Sequence, residues 1–248
     1  MRPLPRIDLR PHLQFVGDLP AGPLDWRAYF GNEQPVELEV GCGRGLFLQN
    51  ASIAHPDRNF FGVENDVKEA RRAALRLHKR DLSNVRVLAA NVFEVLPKFI
   101  RDQSLAAVHV YFPDPWWKRR HRKRRVFNPT FVSQVARVLP PRGWLHAWTD
   151  VEEYFGVITQ LVNSHPGFVW HPPPEERAPT NDLDYHTSFE RKKRKLGLSI
   201  YRARWLRNEI ANDDTRLSAW LPAANAAERD PAPPSPAATV ESPGLPRG

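Results

Sequence analysis

From residue 36 onward, short apolar runs of β type alternate with longer stretches whose apolar residues recur at helical spacing. The runs Val36–Val40, Asn59–Val63, Val85–Ala89, Ala107–Tyr111 and Trp144–Thr149 read as strands, rich in β-branched and aromatic residues. Between them, Asn65–Lys79 predicts the clearest helix. Val67, Ala70, Ala74, Leu75 and Leu77 supply its apolar face, while Lys68, Arg71, Arg72 and Arg76 face water. Further helices are predicted over Val151–Ser164 and from about Asn128-Pro129. Strand and helix in strict alternation build a mostly parallel sheet covered by helices, so the fold class is α/β. After a Pro-rich loop, Ser188–Leu196 reads as a helix, and Leu198–Leu206 alternates bulky and basic residues as a final strand, antiparallel at the sheet's edge.

The flanks differ in character. Residues 1–30 are Pro-rich and read as an N-terminal extension, although Phe15, Trp26, Tyr29 and Phe30 give them something to pack with. Residues 31–210 form the domain. Residues 211–248 are rich in Ala and Pro and poor in large aliphatics, and are expected to be disordered.

Among 248 residues, 36 Lys and Arg stand against 28 Asp and Glu, a formal charge of +8. The excess is clustered, which points to nucleic acid or another anionic partner. A single cysteine, Cys42, excludes an internal disulfide and a Cys-based metal cluster, and fits a reducing cytoplasm. No stretch is apolar enough for a signal peptide or a membrane span, so a soluble cytoplasmic protein without membrane contact is expected. The nine histidines show no ligand spacing, so no metal is expected.

The most unusual segment is Tyr111-Phe-Pro-Asp-Pro-Trp-Trp-Lys-Arg-Arg-His-Arg-Lys-Arg-Arg125. It sets one acid, Asp114, between two prolines that stiffen the backbone, beside two indoles able to stack on a flat ligand. Seven of the eight positions from Lys118 to Arg125 are Lys or Arg, which suits a phosphate backbone better than a plain solvated face because the run is internal and beside the acid. A second block, Arg191–Lys195, is either a docking surface or a surface helix, and pattern alone does not decide.

Two further features place a ligand. Glu39-Val-Gly-Cys-Gly-Arg-Gly45 closes the first of these strands, where an open α/β sheet forms its binding crevice. Leu46 breaks the dinucleotide fingerprint. The GxGxG turn, with Gly41 and Gly43, instead resembles the first motif of S-adenosylmethionine-dependent methyltransferases, in which the preceding acid helps hold the amino acid part of the cofactor. Glu64 closes the next strand, where a carboxylate can accept from both hydroxyls of a ribose. Asn91 follows the third, placed to meet an adenine edge. Either feature alone would pass for a tight turn or a surface acid, but acids and glycines at successive strand ends make a site.

Together these residues resemble the bacterial tRNA (guanine-N7-)-methyltransferases, over roughly Val36–Phe189 and most specifically at Tyr111–His121. The resemblance implies a Rossmann-like class I methyltransferase fold, S-adenosylmethionine as cofactor, and methyl transfer to N7 of a guanosine in the tRNA variable loop. It implies cofactor roles for Glu39, Gly41, Gly43, Glu64, Asn91 and Asp114, with Asp114 also catalytic. Substrate roles fall on Lys118, Asp150, Thr187, Ser188, Phe189 and Glu190, and tRNA contact on Arg120, His121, Arg122, Lys123, Arg124 and Arg125. Three departures stand out: Asn91 where the family has Asp, Trp117 where it has Pro, and a divergent segment after Glu190. Transfer to an exocyclic nucleobase amine and a non-catalytic RNA-binding relative remain the alternative readings.

Overall fold

The computed structural model describes residues 7–174, 187–210 and 215–229. An eight-stranded sheet runs through it in the order β1-β4-β3-β2-β5-β6-β8-β7. In chain order the elements are β1 (Leu13–Phe15), α1 (Trp26–Phe30), β2 (Val36–Val40), α2 (Leu46–Ala54), β3 (Asn59–Glu64), α3 (Val67–His78), β4 (Val85–Ala89), α4 (Val92–Phe99) and β5 (Ala107–Tyr111). A 3-10 helix at Arg119–Arg124 follows, then α5 (Pro129–Val138), β6 (Trp144–Thr149), α6 (Glu152–Asn163), β7 (Phe168–His171), α7 (Ser188–Lys195), β8 (Tyr201–Arg207) and α8 (Thr215–Arg229).

Strands β1 to β6 pair in parallel, and β8 runs antiparallel to both β6 and β7. The five parallel strands expected from the sequence are all present. The final strand is antiparallel as expected, but it is an interior strand; β7, too short to stand out in the sequence, takes the edge. At the opposite edge sits β1, from the segment read as an extension. Leu24 and Phe30 of that segment are buried in the main core, so residues 13–30 are part of the body.

The tail expectation is corrected too. Residues 215–229 form α8, and Trp220 is buried against α6 through an Nε1–H bond to the Ser164 hydroxyl at 3.1 Å. Trp220, with Leu221 and Ala224 beside it, seats an Ala-rich helix on the core, which a composition average hides. Residues 211–214 and 230–248, the rest of that expected tail, lie outside the described residues.

The two faces of the sheet have different cores. Leu38, Val40, Phe61, Val63, Val108, Val110 and Leu145 pack with α4, α5 and α6, and Phe60, Val85 and Val87 pack with α2 and α3. Because alternate residues serve opposite buried faces, β2 and β3 read as continuous apolar runs interrupted only where chemistry intervenes. In β2 those interruptions are Glu37 and Glu39, two apart and therefore on the same face, under α2.

Local signals set the helix starts. Asp66, Asn128 and Thr187 cap α3, α5 and α7 by accepting from backbone N–H groups two or three residues on. Pro129 occupies the first turn of α5, where its missing N–H costs nothing.

Candidate active site

The strand order reverses between β2 and β5, and in an open parallel sheet this is where the loops diverge and leave a crevice. The glycine turn leaves β2 on one side of the crevice, and the Pro-Asp-Pro turn leaves β5 on the other. Glu64, Asn91 and Asp150 follow β3, β4 and β6 at the same edge of the sheet. The structure thus brings the expected cofactor residues to one rim.

Gly43 adopts φ of +50° and Gly45 +67°, backbone that a side chain would strain. A Cβ on Gly45 would also stand 2.9 Å from the Ala73 Cβ, so this glycine is what lets α2 and α3 approach each other. Gly43 donates its N–H to Glu64 Oε2 at 2.8 Å, and the Asp66 N–H reaches Glu64 Oε1 at the same distance. Glu64 is therefore fixed across the mouth of the turn. Gly41 donates to the Val63 carbonyl at 2.8 Å, tying the turn to β3.

Glu39 is buried, and its Oε2 has no hydrogen-bond partner. Burial first, and the negative charge of Glu64 second, push its carboxyl well above the usual carboxylate range. An unpartnered buried acid oxygen is costly unless a ligand supplies the donor. A cationic amino group meets that need, so the residues present fit the amino acid end of S-adenosylmethionine at Glu39 and the ribose at Glu64. Asn91 is half engaged already: its side-chain oxygen caps α4 by accepting from the Phe93 N–H at 3.0 Å, so what it offers an adenine is its N–H donors.

The loop after β5 is held under strain. Phe112 and Trp116, on either side of Pro113-Asp114-Pro115, have φ of +53° and +40°, a conformation costing about 1 kcal/mol or more for such side chains. Three contacts hold it: Phe112 N–H to the Trp148 carbonyl at 2.8 Å, Arg125 Nε to the Pro115 carbonyl at 2.7 Å, and the Arg124 guanidinium 5.0 Å from the Trp116 ring. Asp114 is left exposed at the apex. The sequence reading did not identify Phe112, whose ring stacks on Phe189 of α7 with centroids 6.0 Å apart and planes 22° apart. Phe189 remains 60% exposed, so its outer face is available to a flat ligand.

The other expected substrate residues divide. Lys118 is exposed beside the loop, and Ser188 is half-buried in the first turn of α7. Thr187 is spent on capping α7, its hydroxyl accepting from the Glu190 N–H at 2.9 Å. Asp150 meets Lys193 Nζ at 2.6 Å. Glu190 is 1% exposed and paired with Arg194 and Arg202 at 3.4 and 3.3 Å, so it fastens α7 to β8. Arg125 differs from its neighbours: half-buried, 4.9 Å from the Tyr154 ring and bonded to Pro115, it braces the loop. Arg120, Arg122, Lys123 and Arg124 are exposed, and His121 is half-buried against Trp116.

Below the site runs a polar seam that sequence reading missed. Arg58, Glu37, His109 and Tyr111 form a chain: Arg58 pairs with Glu37, His109 Nε2 lies 2.8 Å from Glu37 Oε2, and its Nδ1 lies 2.9 Å from the Tyr111 hydroxyl. Burial alone would raise the Glu37 carboxyl, but His109 and Arg58 outweigh it and bring the group down to about 2. Glu37 and His109 inside apolar strands were the available signal.

A family model described as a putative methyltransferase matches residues 33–203. The tRNA (guanine-N(7)-)-methyltransferase of Rhodopirellula baltica is 46% identical over 207 residues, covering 81% of this chain and 76% of the relative. The chain belongs to the tRNA (guanine-N7-)-methyltransferase family. The Bordetella pertussis enzyme of the same name is 37% identical, over 72% of this chain and 70% of its own. Among solved structures, the 16S rRNA (adenine(1408)-N(1))-methyltransferase W203A mutant from Catenulisporales acidiphilia superposes with a TM-score of 0.51 at 17% identity, covering 75% of this chain and 92% of its own. The antibiotic-resistance methyltransferase Kmr does so with 0.50 at 16%, over 75% and 93%. At that identity these two show the fold alone, a class I methyltransferase sheet.

Proposed function

We propose that this chain transfers a methyl group from S-adenosylmethionine to N7 of a guanosine in the variable loop of tRNA. The observation that carries the reading, beyond family membership, is the exposed Phe189 ring stacked on Phe112, two residues before Asp114, at the strand ends where the cofactor residues converge. A purine laid on Phe189 would stand beside the crevice between β2 and β5. When bound, S-adenosylmethionine supplies a methyl on a sulfonium, which departs as a neutral thioether.

Guanine N7 carries an in-plane lone pair and no proton, so the protein need not remove one. What it must supply is alignment. Glu39 and Glu64 fix the donor's two ends, and Phe189 fixes the plane of the acceptor. The product base is cationic, and a carboxylate held at the apex of a strained loop, Asp114, favours that developing charge without reorganising. Lys118 and the exposed cations from Arg120 to Arg124 extend from that loop toward the phosphates around the target nucleotide.

The test is incubation with labelled S-adenosylmethionine and unmodified tRNA, followed by chemical cleavage at 7-methylguanosine and mapping of the break. Cleavage in the variable loop is the expected result. Label on an exocyclic amine, or none, would overturn the reading.

A further inference from the structure

One cluster, beside the glycine turn, takes no part in the chemistry just described. Arg44 of the glycine turn and Arg72, Arg76, Lys79 and Arg80 on or just beyond α3 line a cavity of about 350 Å³ together with Leu75. Five cations share this space. Among the described residues the acid paired with them is Glu69 alone, which serves both Arg44, at 3.0 Å, and Arg72.

The cluster is held in place. Arg76 donates from Nε to the Arg44 carbonyl at 2.9 Å and from Nη1 to Gln49 at 3.4 Å, which fixes its guanidinium between the glycine turn and α2. Its own charge is disfavoured, first by burial and then by Arg80, Arg191 and Arg44, whose positive fields it feels together. Arg191 lies on α7, so the basic surface of α3 and the basic block of α7 act on one another across the rim. Packing like charges this closely costs stability in the free protein, and that cost is offset when an anion docks. Arg44 and Arg72 keep more than half of their side-chain surface exposed, so an incoming phosphate can reach them.

The spacing suits a polyanion better than a small anion. From Arg72 to Lys79 the cations occupy about two helical turns, a length of about 10 Å, more than the separation of two adjacent phosphates on an RNA strand. A membrane surface would need several apolar side chains beside the cations, and among the described residues Leu75 is the one apolar residue lining the cavity.

We propose that the α3 cavity formed by Arg44, Arg72, Arg76, Lys79 and Arg80 is a second docking surface for the RNA backbone, separate from the Lys118–Arg124 segment and reached by a part of the tRNA away from the target nucleotide. The proposal rests on the function proposed above. It assigns the α3 face the task of orienting the whole RNA, and leaves reading of the base to α7 and the Asp114 loop.

The test uses the full chain carrying Arg72→Gln, Lys79→Gln and Arg80→Gln together, none of which touches the cofactor residues. Binding of whole tRNA is titrated at several salt concentrations, and S-adenosylmethionine binding is titrated calorimetrically. The variant is expected to bind tRNA ten-fold or more weakly, with the slope of log affinity against log salt reduced by about two, an elevated KM for tRNA, and unchanged cofactor affinity and kcat. A variant with the wild-type tRNA affinity and slope would overturn the proposal, as would a shift of the same size with a short hairpin carrying only the target stem. If the wild-type protein neither binds nor methylates tRNA, the functional reading itself fails. If wild type methylates tRNA and the variant matches it, only the α3 surface is wrong.

Discussion

Asp150, at the end of β6, and Lys193, on α7, meet at 2.6 Å with both side chains mostly buried, so the helix that carries Phe189 is latched to the sheet at the rim of the crevice. The sequence placed Asp150 among the substrate residues without a partner. Its pairing with Lys193 gives it a second task, since any guanine that bonds to Asp150 must share the carboxylate with the latch.

A double-mutant cycle separates the two tasks. Lys193→Ala is expected to loosen α7 and raise KM for tRNA about five-fold, and Asp150→Asn to do the same and also lower kcat. The pair should couple by about 1 kcal/mol in thermal or denaturant stability. Additive effects on stability would show that the ion pair holds nothing.

Glu39 ties stability to cofactor binding through its burial. Its carboxyl is raised, so the neutral form is the one the folded chain tolerates. The contribution is present below the ordinary glutamate value and is lost as pH rises through the elevated one. Glu39→Gln is therefore expected to melt at a higher temperature than the wild type at pH 8, by a margin that shrinks toward pH 5, while losing S-adenosylmethionine affinity by more than ten-fold. Thermal melts of the unliganded proteins together with cofactor titration check both halves. A variant that is less stable than wild type at pH 8 would show that Glu39 is satisfied within the protein.

The parallel strands were legible because both faces of the sheet are buried, so each appears as a short continuous apolar run. Glu64 and Asn91 were legible because each sits at a strand end, where a polar residue has no packing duty, and Glu39 because it interrupts an apolar strand just before a glycine turn. What escaped had no local pattern. β7 is four residues long and owes its place to pairing with β8, and α8 docks through Trp220 with Leu221 and Ala224 beside it. Lys193 and Arg125 looked like members of basic runs, yet each is singled out by a partner distant in sequence or across the loop: Asp150 for Lys193, Pro115 and Tyr154 for Arg125. Phe112 takes a left-handed backbone that no propensity would assign it; only its stack on Phe189 and its bond to Trp148 account for it.

The contrast between Arg125 and its neighbours is directly measurable. Arg122→Gln with Lys123→Gln is expected to weaken tRNA binding and lower its salt slope by about one to two while leaving the melting temperature in place. Arg125→Gln removes the bond to Pro115 and the contact with Tyr154, so it should lower kcat at least ten-fold and destabilise by about 1–2 kcal/mol, with a near-normal salt slope. If Arg125→Gln instead changed the slope and spared kcat, it would belong to the RNA surface after all.

Asp114 is exposed, and among the described residues no side chain that the fold depends on is bonded to it, so its removal should leave the fold intact. Asp114→Ala is expected to reduce methyl transfer at least a hundred-fold at saturating tRNA, with tRNA affinity within two-fold of wild type. Asp114→Asn tests the electrostatic role: it keeps the shape and a hydrogen-bonding oxygen but not the charge, and should recover little of the loss. Wild-type turnover in either variant would remove Asp114 from the mechanism.

His165 gives the fold a pH dependence unrelated to the active site. Its ring is buried beside Trp220 at 4.4 Å, and its Nδ1 accepts the Gly167 N–H at 3.0 Å. Burial, and then the nearby Arg207 charge, depress its ionisation to about 4. The folded state therefore holds a neutral imidazole at a pH where the unfolded chain is already protonated. The stabilisation is complete above pH 6.5 and disappears as pH falls through 4, a change of about 3 kcal/mol from this group. Glu37, depressed to about 2, loses its contribution mainly below pH 4.5, so the two windows are separable. Denaturant unfolding between pH 7 and pH 4 should show the wild type losing more stability than His165→Asn, which cannot take up the proton. Parallel losses in the two proteins would place the acid sensitivity elsewhere, and a loss of α8 docking in the variant would show as reduced protection of the Trp220 amide in hydrogen exchange.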